Sequence, residues 1–386
     1  MAQQFIREHE HDDPYELSLQ AHRYPDLPMS AIAEQIQARQ KAKRKLPKWY
    51  ATEGIVFPPP LSMEQCSSEV TAQYKQRLAY GQRLVDLTGG AGVDTYYLSQ
   101  SFGRTDYVEA QAVLADIARH NFTVLGASDI SVHAASAEGF LDSLFESVDC
   151  VYLDPARRDT RANKVFRLED SQPNVTELQS TLLARATTVL LKTAPLLDIQ
   201  AALRTLIHTK EVHVVAVNNE VKEVLYLMTL SPPMQPKVTA VNLRAHSAEQ
   251  FSYFLHQEAG AAVTHSEPLT YLYEPNAALM KAGAFKLIAQ RFNLYKLHPH
   301  THLYTSDQPL PNFPGRCFRC RAVVPYQKKA VRKVLPEARA NVATRNFPDS
   351  VATVRKKLGL QDGGDIYLFA VRLLDEKMSI LITQKQ

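Results

Sequence analysis

The chain of 386 residues carries 44 Lys and Arg against 40 Asp and Glu, a formal net charge of +4. At about 100–200 residues per domain, that length implies two or three domains. A hydrophobic share of 45% and a charged share of 22% exclude bulk disorder, a collagen-like chain and a disulfide scaffold. No stretch approaches the roughly 20 apolar residues of a membrane helix. The polar start MAQQFIREHEHDDPYEL has no apolar segment of the kind a signal peptide needs. Four cysteines fit a reducing compartment, and the cytosol is the expected location, with no membrane partner.

In chain order, residues 28–46 read as a helix with Met29, Ile32 and Ile36 on one face and a basic end suited to a helix C-terminus. Pro58–Pro59–Pro60 is a rigid break. The segment LSMEQCSSEVTAQYKQRLAYG reads as a second helix ending near Gly81. A strand–helix alternation follows, with strands expected at 83–87, 106–109, 130–134, 150–153, 188–192, 212–217 and 223–230. Helices are expected near 93–102, 111–125, 137–146, 174–186 and 198–209. The last two strands are separated only by NNEVK and read as a hairpin. This pattern predicts an α/β fold, a doubly wound and mostly parallel sheet with a hairpin edge. The SPPMQP segment marks a boundary. Beyond it, 238–265 mix strand and helix signals, a helix is expected over 277–292, and 316–386 alternate strands with basic helices.

Charge is unevenly distributed. Residues 316–357 hold twelve Lys or Arg and only Glu337 and Asp349 as acids, a local charge of +10 that leaves −6 for the rest. A basic C-terminal region on an acidic body points to a polyanionic partner, most often a nucleic acid; a solvated helical surface is the plainer alternative. Lys328, Lys329, Arg332 and Lys333 are the candidate contacts.

The first predicted strand ends in RLVDLTGGAGVDT, with Asp86 followed by Gly89, Gly90 and Gly92. Glycines permit a sharp turn and close approach of a ligand to the backbone, and ligands of open α/β sheets bind at the carboxyl ends of strands. Glu109 ends the second strand, 23 residues after Asp86, where an acid can accept both hydroxyls of a ribose. A dinucleotide is a weaker reading, because GGAG is not GxGxxG and an Asp before the turn repels a pyrophosphate. A ligand with a positive centre suits the carboxylate better.

These segments resemble the class I S-adenosylmethionine (SAM)-dependent methyltransferases. VDLTGGAGVDT looks like their first motif, VEAQ like their acidic second, and VYLDPARR, after the fourth strand, like the catalytic segment of enzymes methylating nitrogen. The whole chain is similar to a group of RNA methyltransferases with an N-terminal helical region, a class I domain, a small ferredoxin-like domain and a THUMP-like domain. GIVFPPPLSMEQCSSEVTAQYK, EPNAALMKAG, FPGRCFR and the last seventy residues carry that match. The resemblance implies domains at 1–60, 61–235, 236–314 and 315–386. It implies SAM as cofactor, with Asp86, Gly89, Gly90 and Gly92 around its methionine part, Glu109 on the ribose, and Ser136 and Ala137 facing the adenine. Ser67, Ser68 and Thr71 would cap the cofactor. Asp154, Pro155 and Arg157 would line the reacting end. Arg157 stands where an aromatic is usual, and Ser136 where many relatives have Asp. Asp-Pro-Ala-Arg also occurs in 5-methyluridine methyltransferases, but those need a Cys at the end of the next strand, where this chain has Lys192–Thr193–Ala194–Pro195.

The expected function is methylation of a base nitrogen in structured RNA (tRNA or rRNA) by direct in-line transfer, with Arg158 and Arg161 reaching a phosphate or a base. A small-molecule or protein methyltransferase, or a silent SAM- or RNA-binding module, are the alternatives. Cys317-Phe-Arg-Cys320 is one CxxC, with His298, His300 and His302 upstream; a structural zinc needs four ligands, and the reading favours reduced thiols and no metal.

Overall fold

The computed structural model describes residues 1–157 and 168–386, with Arg157 as backbone only. Arg158 and Arg161 therefore lie outside the described residues. The chain divides into two compact units, 1–212 with 223–234, and 213–222 with 235–386.

The first unit is built on strands β1 (Gly81–Asp86), β2 (Phe102–Glu109), β3 (Ile130–Ala134), β4 (Val148–Leu153) and β5 (Ala186–Thr193). Two further strands follow, β6 (Thr209–Val217) and β7 (Glu220–Met228), of which residues 213–222 belong to the second unit and 223–228 to the first. Leu84, Val85, Val151, Leu153 and Val189–Leu191 are fully buried, the continuous apolar runs that a parallel strand covered on both faces requires. The order is β3-β2-β1-β4-β5-β7. The first five are parallel, and β7 runs antiparallel to β5. Between β6 and β7, Asn218 and Asn219 have φ of 50° and 67°, the left-handed pair of a type I′ turn. Helices Val93–Ser99, Ala112–Val124, Ala137–Ser143, Val175–Arg185 and Ile199–Thr205 fill the crossovers, and Ser136, Asn174 and Asp198 accept amide hydrogens at three of their starts. The doubly wound α/β sheet expected from the alternation is present.

The helix Met29–Lys45 forms as expected. Two short helices not foreseen, Ala2–Glu8 and Pro14–Leu19, bury Phe5 and Leu17 against its Met29, Ile32 and Ile36. Further along, Ala38, Ala42, Leu46 and Trp49 join Tyr96, Tyr107 and Phe122 in one apolar cluster. The single helix expected over 61–81 is two, Pro60–Gln65 and Glu69–Gln76. Ser68 Oγ accepts the Thr71 amide hydrogen, an N-cap that restarts the helix and leaves Cys66 and Ser68 extended.

In the second unit, β8 (Lys237–Leu243) and β9 (Ala248–Phe254) form an antiparallel ladder. The remaining strands are β10 (Tyr271–Pro275), β11 (Tyr295–His298), β12 (Thr301–Ser306), β13 (Gly315–Pro325), β14 (Asn341–Arg345), β15 (Ile366–Arg372) and β16 (Met378–Lys385). They make one sheet in the order β11-β12-β10-β13-β16-β15-β14. The helix expected over 277–292 is two, Ala277–Ala282 and Leu287–Phe292, because Gly283 at φ 83° turns the first one off. Helices Lys328–Val334 and Val351–Leu358 bury Val331, Val354 and Leu358 against Leu368, Ile380 and Ile382.

Gly89 is a packing glycine. A Cβ there would lie 2.2 Å from Cε2 of the buried Tyr107 ring. Gly89→Ala is expected to cost about 1–3 kcal/mol through overpacking, read as a lower urea midpoint with an unchanged m-value.

Candidate functional site

A cavity of about 470 Å³ opens at the carboxyl ends of β1, β2 and β4, within the about 300–1,000 Å³ of small-ligand sites. Its wall includes Asp86, the turn 88–92, Glu109, Ser136, Ala137 and Asp154. The sequence-predicted Asp86, Gly89, Gly90, Gly92, Glu109, Ser136, Ala137 and Asp154 are thus brought together. Pro155 is next to that wall rather than in it. Ser68 is also outside it; its hydroxyl caps a helix, and Ser67 and Cys66 line the cavity instead.

Asp86 is 1% exposed. Its Oδ1 accepts the Thr88 amide hydrogen at 3.0 Å and its Oδ2 the Thr95 hydroxyl at 2.6 Å. Burial pushes this carboxyl up to about 7, against the lowering effect of those two hydrogen bonds. Glu109 Oε2 accepts from Gly90 N at 2.9 Å and Oε1 from Gln111 N at 2.8 Å. Each oxygen keeps a second lone pair for a ligand hydroxyl. Gly90, at φ 52°, is held through its carbonyl by the Tyr107 hydroxyl at 2.7 Å. A Cβ on Gly90 would meet only Thr88 O, at 3.7 Å, so its open side is the space a ligand can take.

Thr88 ties two loops together, since its Oγ1 accepts the Asp154 amide hydrogen at 2.6 Å. Asp154 Oδ2 is ion-paired to Lys192 Nζ, and Lys192 also lies 3.9 Å from Asp94 Oδ2. That Asp94 oxygen accepts hydrogen bonds from Ser67 Oγ and Tyr152 OH, both at 2.7 Å. Lys75 Nζ donates to Ser67 Oγ at 3.0 Å and to both Glu223 oxygens at 2.7 Å, and sits 3.2 Å from Asp94 Oδ1. Burial opposes ionisation of Asp94, yet Lys75 and Lys192 hold it below the ordinary carboxylate range. Burial also opposes the charge on Lys192, but Asp154, Asp94 and Glu223 hold it protonated, above the usual lysine range. Sequence reasoning missed Lys192, Lys75, Asp94, Thr88 and Glu223.

The basic residues of the C-terminal region divide by environment. Lys328, Lys329 and Lys333 are exposed. Arg332 is half-buried and donates to Gly359 O at 2.8 Å and Pro336 O at 3.3 Å. Cys317 and Cys320 are free thiols on β13, and both are pushed up by burial.

A parallel sheet finished by an antiparallel strand, with a buried acid and an open glycine turn after its first strand, is the architecture of class I methyltransferases that take their methyl from SAM, and this chain is one of them. The residues present fit that cofactor, with a ribose-type acceptor in Glu109 and a backbone opening at Gly90. Residues 271–314 match the model of a ferredoxin-like domain and residues 315–385 that of a THUMP domain-like family. Two uncharacterised SAM-dependent methyltransferases of Mycobacterium tuberculosis, from strains CDC 1551 / Oshkosh and ATCC 25618 / H37Rv, are 22% identical over 319 residues, 81% of this chain and 83% of theirs. A crystal structure of a provisionally named methyltransferase from Porphyromonas gingivalis W83 is 32% identical, covers 100% of this chain and 97% of that one, and superposes with a TM-score of 0.90. The chain belongs to that family, SAM-dependent methyltransferases with a THUMP-like C-terminus.

The raised carboxyl of Asp86 sets a pH dependence. A cationic ligand favours the ionised form, so binding releases a proton and tightens as pH rises through about 7. Between pH 6 and 7.5 the ionised fraction grows from about a tenth to about three quarters, and the SAM Kd is expected to fall roughly eightfold. Calorimetry across that range reads it, and Asp86→Asn should flatten the slope.

Proposed function

We propose that the protein methylates a nitrogen of a base in structured RNA by direct in-line transfer. The observation that carries this reading is Asp154 in the cavity wall, one oxygen paired to Lys192 and the other without a partner among the described residues. An amino group about to be methylated must keep its lone pair forward while its N–H bonds are held, and a fixed carboxylate oxygen accepts one of them. Pro155 restricts the backbone of Asp154 and stiffens this loop. Bound in the cavity, SAM supplies a methyl already activated by its sulfonium. Asp86 would balance the positive end of the cofactor, Glu109 would hold the ribose, and Ser136 and Ala137 would border the adenine.

The RNA part of the reading is supported by Lys328, Lys329 and Lys333, exposed and without ion-pair partners among the described residues. Such cations bind phosphates with little regard for sequence. The same region matches a THUMP-like model. The division of the chain at 60, 235 and 314 is part of this proposal. Its last boundary falls where β10 pairs with β13 inside one sheet, Pro275 opposite Gly315.

The test is tritiated-methyl transfer from SAM to total RNA from cells lacking this activity, followed by nucleoside mass analysis. A label confined to one N-methylated nucleoside is expected. Asp154→Ala should lower turnover by about 10²–10³ with SAM affinity within twofold of the wild type; equal turnover removes Asp154 from the chemistry. Replacing Lys328, Lys329 and Lys333 together by Gln should reduce the slope of log affinity against log salt by roughly 2–3, with kcat at saturating RNA unchanged.

A further inference from the structure

Behind the cavity wall, against its lining residues Asp154 and Asp94, sits a cation that no step of the proposed chemistry uses. Lys192 is 9% exposed, and a lysine this buried needs a reason to be there. Its place follows from strand register. Leu153 of β4 stands beside Leu191 of β5 in a parallel ladder, so the next residue on each strand, Asp154 and Lys192, meets across the sheet at the level where the strands end. Their ion pair is made at that point.

From this geometry we infer that Lys192 is the positioning residue of the site, fixing the Asp154 carboxylate by one oxygen so that the other faces the substrate. The inference rests on the proposed role of Asp154 and deepens it. Without a cation, the Asp154 side chain is free to rotate and faces a crowd of negative groups. Asp86 from β1, Asp94 from helix Val93–Ser99 and Glu223 from β7 all act on the same region, beside the neutral phenol of Tyr152 from β4. The other nearby cation, Lys75, is taken by Glu223, Ser67 and Asp94, so it is not available to replace Lys192. The Asp94 oxygen behind Lys192 is itself fixed by Ser67 and Tyr152. The ammonium is therefore anchored on its inner side and holds Asp154 on its outer side.

A structural cation and a positioning cation differ in what they change. With the same total RNA as probe, Lys192→Met is expected to lower kcat at least 50-fold, to leave the SAM Kd and the RNA KM within threefold, and to move the acid limb of the kcat–pH profile to higher pH. Lys192→Arg, which keeps the charge and a donor, should recover at least a tenth of wild-type kcat. A readout without substrate or cofactor runs beside it: thermal unfolding of Asp154→Asn, Lys192→Met and the double variant. Coupling predicts that the double variant loses several degrees less than the sum of the two single losses.

Wild-type kcat in Lys192→Met, a rise in RNA KM alone, or additive melting losses would each overturn the inference. If Lys192→Met does not fold, Lys192→Gln, alone and combined with Asp154→Asn, decides it by the same criteria. Should Asp154→Ala keep full turnover, the proposed chemistry fails. Should it lose turnover while Lys192→Met keeps it, only the positioning role fails.

Discussion

Lys75 and Lys192 share the interior of the first unit with Asp94 and Glu223 and reach the part-exposed Asp154 at its margin, and the placing of its loops depends on those ion pairs. A charge taken out of water carries a penalty of several kcal/mol unless it is paired and hydrogen-bonded. Here the pairing is dense. Asp94 is held by two hydroxyls and flanked by both lysines, and Glu223 receives Lys75 through both oxygens. The partners come from the helix Glu69–Gln76, the helix after the glycine turn, the ends of β4 and β5, and β7. No one of these segments can shift without leaving a charge unpaired, and losing one partner of a buried pair costs about 3–5 kcal/mol. The network therefore fixes the relative positions of the turn that borders the cofactor cavity and the loop that carries Asp154.

Within that frame the glycine turn divides its labour. Gly89 is small because Tyr107 lies against it, Gly92 because Phe122 does, and neither opening is offered to a ligand. Gly90 alone has clear space on its side-chain face and a left-handed φ of 52°. The Tyr107 ring that crowds Gly89 also carries the hydroxyl that holds the Gly90 carbonyl. Packing below the turn and access above it are thus set by the same aromatic ring.

The parts of this site that could be read from the sequence were those fixed by local chain order. Asp86 and Glu109 end strands, the glycines and Asp154 follow them, and the parallel strands in this fold end on one edge, so recognising the alternation places them together. What depends on register or on helix breaks could not be read. Lys192 meets Asp154 only because β4 and β5 pair Leu153 with Leu191, and in the sequence it showed only as a position lacking a cysteine. Three adjacent polar residues, Cys66–Ser67–Ser68, look continuous with a helix until the Ser68 cap turns one helix into two and leaves Ser67, not Ser68, in the cavity wall. Gly283 cut another expected helix in the same way. Lys75 and Glu223 are 148 residues apart, a separation over which no periodicity carries information. Residues 158–167, where Arg158 and Arg161 were expected to meet substrate, lie outside the described residues.

The sign of the charge in the network bears on which nucleophiles it can serve. Two lysines face three carboxylates, so the group carries one negative charge in excess, and burial raises Asp86 and Glu223 as a consequence of that crowding and desolvation. A neutral nitrogen that accepts a methyl cation becomes positive as the bond forms. An excess carboxylate beside it interacts more strongly with that developing charge than with the neutral amine, which is the difference that lowers a barrier. A nucleophile that begins as an anion gains nothing of the kind, since it would be repelled by Asp154 before reaction and would lose its charge during it. Because one Asp154 oxygen is already committed to Lys192, the remaining one can accept a hydrogen from an amine but offers nothing that donates to an oxyanion. The electrostatics of the chain's own side chains are thus a support for the proposed N–H-bearing, uncharged acceptor that does not depend on any likeness between its Asp-Pro-Ala-Arg segment and those of other enzymes.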